Sequence, residues 1–335
     1  MDWLRRGEKY GLIAMDVSST HGLTAALPGI DVQFLSDLGV QMPNHWREWL
    51  GSMRADELEG CNLFILAKSD HSPAGVVDAE NDELMRKVWN TYIGLLIELP
   101  FAPAHAPIRL SGGLEGEEVD IRQQSDLDIP IHGLVSGYPT ITSKHLGSAL
   151  IMGQALNSLR DPDRTGHSWR LVRTLTIFVE ASTTRQMMDR IHQLCRCVEG
   201  LILPDEGQTK RQFKSRTELF IGPSHHDLIG NIYDVRSAVE HLHDDKYLHG
   251  YDRDRMLRLV KYEAILAHLC RACLRRILSN TTLFPHFANA RALSAFWALP
   301  KHDRQAIWGP PVDPLEVLSS FRPDYISDAS LGAEE

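Results

Sequence analysis

Apolar positions follow two regimes along the chain. Up to about residue 160 they come as short runs broken by Gly and Pro, with one long helical stripe among them; beyond that they recur at steps of three and four. In the first regime Gly11–Val17 reads as a strand, and Leu58–Lys68, built around Asn62–Ala67, as a buried one. Trp46 and Trp49 fall in a short helical turn, Asn44–Leu50. Leu84, Val88, Tyr92, Leu95 and Leu96 share a face and predict a helix over Asn81–Leu99, which Pro100 stops. Further β-like segments lie at Ile108–Leu110, Val119–Ile121 and Ile129–Leu134. Ser143 opens a helix that runs to about Leu159.

The polar turn Asp161–Gly166 is the expected junction. After it the spacing predicts helices over Trp169–Glu180, Thr184–Leu203, Thr209–Phe220, residues 224–243 and Met256–Leu278. In the second of these Met187, Met188, Ile191, Leu194, Val198, Leu201 and Ile202 mark the apolar face, and Pro204 ends it. Short links make such helices antiparallel neighbours in a bundle. The tail holds one more helical stretch, Phe287–Leu299, and an acidic end whose small residues predict disorder. The expected fold class is therefore α+β. A mixed domain of unknown role covers 1–163, an all-α antiparallel bundle 164–280, and a partly disordered extension 281–335.

Composition narrows the class. With 335 residues, 43% apolar and 24% charged, the chain can build two ordinary cores. No window approaches 18 uncharged apolar residues, so no membrane span or membrane partner is expected. The first residues lack the apolar run of a secretory signal. Together with five cysteines, an odd number, this suggests reduced thiols and a cytoplasmic location. The net charge of −9 argues against a general nucleic-acid coat protein. Yet residues 164–280 carry 19 Lys and Arg against 14 Asp and Glu, so the bundle is locally basic while the rest is acidic. Phosphate contacts need such a surface, although helical surfaces scatter charge in any case.

The chemistry concentrates in residues 224–243. Ser224 fits an N-cap, Asp227 falls in the first turn, and Leu228, Ile232, Val235, Val239 and Leu242 form the apolar stripe. Off that stripe lie Arg236 and His241, an Arg-x4-His pair. Five helical residues turn through about 140° and rise about 7.5 Å, so one helix does not easily aim both groups at one atom; two copies about a two-fold axis could. The bland alternative makes Arg236 a surface ion-pair partner and His241 a histidine favoured by the helix C-terminus.

The run from Tyr233 to His241, with Arg236 and Ser237 between, resembles the motif of HEPN domains, and more closely their ApeA-like branch. The order of a helix carrying Cys197 and Glu199, then Phe213 and Arg216, then the Arg/His motif is similar too; the resemblance covers about residues 168–280. It implies a helical bundle that dimerises and, in active members, a metal-independent ribonuclease with no cofactor, whose catalytic residues here would be Arg236 and His241. It also implies a role in prokaryotic defence or toxin systems, with an antitoxin or regulatory partner. Other members keep the fold without cleavage, so a scaffold or regulatory dimer is the alternative of a different class.

Neighbouring residues could support the pair. Ser237 follows the arginine and can hydrogen-bond; Glu240 precedes the histidine and could orient an imidazole or repel phosphate. Tyr233 could brace Arg236 or stack on a base, though core packing is its simpler explanation. Arg216, in step with Phe213 and Phe220, could reach a phosphate; a salt bridge to Glu199 is its simpler explanation. His241, His243, Asp244, Asp245 and His249 have metal-ligand side chains without metal-site spacing, and Cys195, Cys197, Cys270 and Cys273 read as buried thiols, so no metal site is expected. A second alternative is a minimal nucleotidyltransferase. Ser111, Gly112 and Gly113 followed by Asp126 and Asp128 resemble its triphosphate and Mg²⁺ elements, provided that those glycines open a helix.

Overall fold

The computed structural model describes residues 3–39, 42, 44–69, 79–114, 118–131, 138–159, 168–241 and 253–325. The fold is α+β and divides into two compact units, Met1–Pro130 with Tyr138–Ser158, and Ile131–Gly137 with Leu159–Glu335.

The first unit contains β1 (Lys9–Met15), β2 (Val32–Leu35), α1 (Asn44–Leu50), α2 (Ser52–Gly60), β3 (Leu63–Ser69), α3 (Ala79–Glu98), β4 (Ile108–Gly113), β5 (Gln123–Asp126) and α4 (Ser143–Ser158). The strands form one antiparallel sheet in the order β2-β3-β1-β4-β5. Every residue of β1 is buried, because helices cover both faces of the sheet centre. On one face Tyr10, Leu12 and Ala14 pack with Trp46 of α1 and Leu58 of α2. On the other, α3 crosses β1 so closely that a Cβ on Gly11 would stand 2.7 Å from the Leu84 carbonyl carbon. Glycine is required there for approach, not for an unusual φ.

Three expectations for this unit change. Leu58 belongs to α2, and the buried strand begins only at Leu63. Asn62 makes the turn between them: its Oδ1 accepts from the Val17 amide at 3.1 Å and its Nδ2 donates to the Val17 carbonyl at 2.9 Å. Val119–Ile121 is not a strand, and side chains take two of its carbonyls. Trp46 Nε1 donates to the Val119 carbonyl at 2.7 Å, and the Tyr10 hydroxyl to the Asp120 carbonyl at 2.9 Å. Ile129–Ile131 is not a strand either. The Ile131 amide donates to the Ser182 carbonyl at 2.7 Å, and the remainder of Ile129–Leu134 lies outside the described residues.

The second unit contains α5 (Trp169–Thr183), α6 (Met187–Ile202), α7 (Thr209–Ile221), α8 (His226–Glu240), α9 (Arg253–Ser279), α10 (Phe284–Phe287), α11 (Ala290–Ala298) and α12 (Lys301–Trp308). Helix α6 is its axle, packed against α5, α7, α8 and α9. Its Ile191, Leu194, Cys195, Cys197, Val198, Leu201 and Ile202 are buried. Arg190 is buried as well, and is satisfied by a two-pronged pair with Glu263 of α9 at 2.6 and 2.9 Å and by the Thr184 carbonyl at 3.0 Å. Beyond α9 the chain does more than add one helix. Asn289 caps α11 by accepting from the Ala292 amide at 2.9 Å, so the expected Phe287–Leu299 helix splits in two. Phe287, Phe296 and Trp308 then pack together, and Trp308 lies 4.5 Å from the Phe220 ring of α7. The segment expected as an extension thus contributes aromatic core to the helical unit, while 326–335 lie outside the described residues.

Gly11→Ala should cost about 1–3 kcal/mol, since α3 must retreat from the sheet to admit the methyl group. Urea unfolding measures this; a loss within experimental error would mean that the helix is not seated so closely.

Candidate functional site

Helix α8 is rotated from the orientation that its apolar stripe suggests. Its buried residues are Ile229, Gly230, Ile232, Tyr233 and Val235, whereas Leu228 and Val239 are half-buried. Ile229, Ile232, Tyr233, Arg236 and Glu240 follow one another at helical spacing, so Arg236 stands on the inward edge, not off the buried face. Ser224 does not cap α8; it lies in a 3₁₀ turn, Pro223–His225, and His225 takes the N-cap position. Leu242 and His243 lie outside the described residues.

This orientation brings Arg236 against Glu199 on α6. Its carboxylate stands 3.3 Å from Arg236 Nε, and Arg236 Nη2 donates to it at 3.4 Å. Both side chains are about 85% buried (14% and 15% exposed), so each would be costly without the other. Arg236 also approaches Glu240 at 3.9 Å, and its guanidinium carbon lies 5.6 Å from the centroid of the Tyr233 ring. Tyr233 is buried against Phe213 of α7, with ring centroids 5.1 Å apart. Its hydroxyl is raised above its ordinary pKa by burial, which Arg236 partly offsets.

A further imidazole joins this group. His192 Nε2 on α6 is hydrogen-bonded to the carboxylate of Glu240. That bond, reinforced by the charge of Arg236, holds the Glu240 carboxyl below its usual range. Burial does the opposite to Glu199 and raises it, with Arg236, Arg196 and His192 offsetting part of the effect. The site is therefore a two-helix ladder: His192, Arg196 and Glu199 on α6 face Tyr233, Arg236 and Glu240 on α8. His192 has no part in the Arg-x4-His pattern. The signal that could have found it is His192-x3-Arg196-x2-Glu199, three polar groups on one side of an amphipathic helix.

The structure separates the other expected residues. His241 occupies the C-cap of α8 and is exposed, with its amide donating to the Ser237 carbonyl at 3.1 Å. Ser237 is half-buried. Arg216 does not pair with Glu199. Its Nη1 donates to the carbonyls of Ile202, at 2.9 Å, and Leu203, closing the C-terminus of α6 where Leu203 takes the left-handed conformation, φ 49°. Leucine seldom adopts that conformation, and a cation there also meets the negative end of the helix dipole.

The remaining chemistry divides along the same lines. Cys195, Cys197, Cys270 and Cys273 are all buried, and burial keeps the Cys195 and Cys273 thiols protonated. Among the described residues no group of three or more His, Cys, Asp or Glu is arranged to hold a metal; His243, Asp244, Asp245 and His249 lie outside them. Gly112 and Gly113 lie inside strand β4, paired with β1, and a Cβ on Gly112 would meet the Asp120 carbonyl. They open no helix, so the strand-to-helix cradle that a nucleotidyltransferase reading requires is not formed. Asp126 is paired with Arg54, and Asp128 is exposed. No helix among the described residues is long and apolar enough to cross a membrane.

Glu199→Gln should destabilise the protein by about 1–3 kcal/mol, because it leaves a mostly buried guanidinium without its counter-charge. Adding Arg236→Gln should recover part of that loss in the same denaturation assay, and strict additivity would show the two to be uncoupled. Glu240 has a folded pKa below its unfolded value, so its contribution is complete above the unfolded value and vanishes as pH falls through the folded one. Glu240→Gln should therefore narrow the stability gap to wild type in acid; an unchanged gap down to about pH 2 would show that Glu240 is not held this way.

The sequence matches no family model and no curated protein, and the fold matches no solved structure.

Proposed function

We propose that the helical unit is a HEPN-type module that cleaves RNA without a metal ion, acting as a two-fold dimer. The observation that carries this reading is the fixed guanidinium. Arg236 is held from three sides by Glu199, Glu240 and the ring of Tyr233, next to a hydrogen-bonded imidazole, His192. Arg236 and His241 are the catalytic pair of the proposal, with Tyr233, Ser237 and Glu240 as supports. Arg216 is assigned to closing α6 and not to the reaction.

The chemistry is transesterification. A neutral imidazole takes the proton of a ribose 2′-hydroxyl, and that oxygen attacks the adjacent phosphorus. The 5′ oxygen leaves with a proton from an imidazolium, and the product is a 2′,3′-cyclic phosphate. The guanidinium fork matches the equatorial oxygens of the phosphorane. His241, at the exposed end of α8, would reach a phosphate held by the Arg236 of a second copy. A cytoplasmic defence or toxin role, under an antitoxin or regulatory partner, goes with this assignment.

A second reading is favoured by a specific observation. Two carboxylates stand against Arg236, and they offset the positive charge that a phosphate would meet. On that reading the ladder joins α6 to α8 and the unit is a non-catalytic scaffold.

The test is incubation of the dimer with total RNA in EDTA. The wild type should cleave and leave cyclic phosphate ends, and Arg236→Ala or His241→Ala should lower the rate by about 10²-fold or more. Intact RNA with a stable dimer selects the scaffold, and a strictly monomeric protein removes the two-fold site altogether.

A further inference from the structure

We propose that the cleft between α7 and the α11–α12 pair binds a small phosphorylated ligand that carries two or more negative charges. The cleft encloses about 500 Å³, within the range of small-molecule sites. Four cations line it, Arg211 and Arg216 from α7 and Lys301 and Arg304 from α12, and the lining holds one carboxylate, Glu218. That carboxylate is already engaged, by His226 at 2.9 Å and by Lys301 at 3.7 Å.

Hydrogen bonds to backbone carbonyls hold the floor. Trp297 is buried, with its indole N–H donating to the Leu201 carbonyl at 3.0 Å. The guanidinium carbons of Arg216 and Arg304 lie 5.4 and 5.3 Å from the centroid of that ring. Backbone carbonyls hold both groups: Ile202 and Leu203 for Arg216, Trp297 and Leu299 (2.6 and 2.8 Å) for Arg304. Each arginine commits Nη1 to these carbonyls, and a guanidinium has five N–H donors. Among the described residues no carboxylate pairs with Arg304 or Arg211, and Asp205 reaches Arg216 only at 3.8 Å.

Two like charges gathered over one indole repel each other. Burial, followed by the charge of Arg216, pushes Arg304 below its ordinary value. A polyanion offsets that repulsion and supplies charged acceptors to two preplaced forks, whereas a neutral ligand leaves the repulsion in place. Recognition therefore rests on phosphate. The site is separate from the α6–α8 ladder and stands whether or not the chain cleaves RNA.

The experiment is calorimetric titration of the full chain with inorganic pyrophosphate, ADP, adenosine and a short oligouridylate. Pyrophosphate and ADP should bind, more weakly as salt rises, and adenosine should not. Comparing the two binders tells whether a nucleoside adds to the phosphate contact. Arg211→Glu with Lys301→Glu, both exposed, should weaken binding by about tenfold or more while leaving the fold unchanged. Arg304→Lys keeps the charge but loses the fork, and should also bind more weakly. The proposal is overturned if pyrophosphate and ADP fail to bind, if adenosine binds as well as ADP, if only the oligonucleotide binds, or if the double reversal binds like wild type.

Discussion

One mostly buried ion pair sets the helical unit around its candidate site: Glu199 on α6 with Arg236 on α8. A guanidinium that deep must find a counter-charge or leave the interface. Glu199 supplies it, and α8 turns to deliver Arg236 inward. That rotation buries Tyr233 against α7 and brings Glu240 to His192. The same contact that orders the bundle therefore also assembles the polar ladder.

Helix α6 bears most of this burden. It is enclosed by four other helices, yet it carries two charged residues into that setting, each with a partner on a different neighbour: Arg190 with Glu263 of α9, and Glu199 with Arg236 of α8. Ion pairs of this kind add little net stability, but they penalise any register that leaves one member alone. The left-handed turn at Leu203, closed by Arg216, ends the helix at a defined point. The arginine that closes it also lines the cleft of the α11–α12 pair, so helix termination and a cationic surface share one side chain.

For the candidate chemistry, local charge matters more than net charge. A guanidinium between two carboxylates is well placed but partly neutralised, and this is the tension between the catalytic and scaffold readings. The cleft at Arg211, Arg216, Lys301 and Arg304 presents the reverse case, since cations gather there with a single, already engaged carboxylate.

Periodicity alone determined the α+β class, the helices α3 to α9 to within a few residues, and the central strand β1, because long stripes and dense apolar runs are local properties. It also placed Tyr233, Arg236 and Glu240 on one helix. It could not set the rotation of α8, since Leu228 and Ile229 are equally apolar and the helices packed against α8 decide between them. Nor could it find His192, which lies 48 residues before Glu240 and meets it only after folding. Short elements failed for a related reason. Val119–Ile121 has the composition of a strand, but Trp46 and Tyr10 claim its carbonyls across the fold. What the sequence determined was which segments are helical and which faces are apolar; which polar groups meet was decided by tertiary packing, because a buried charge selects its partner among neighbours that only the folded chain brings together.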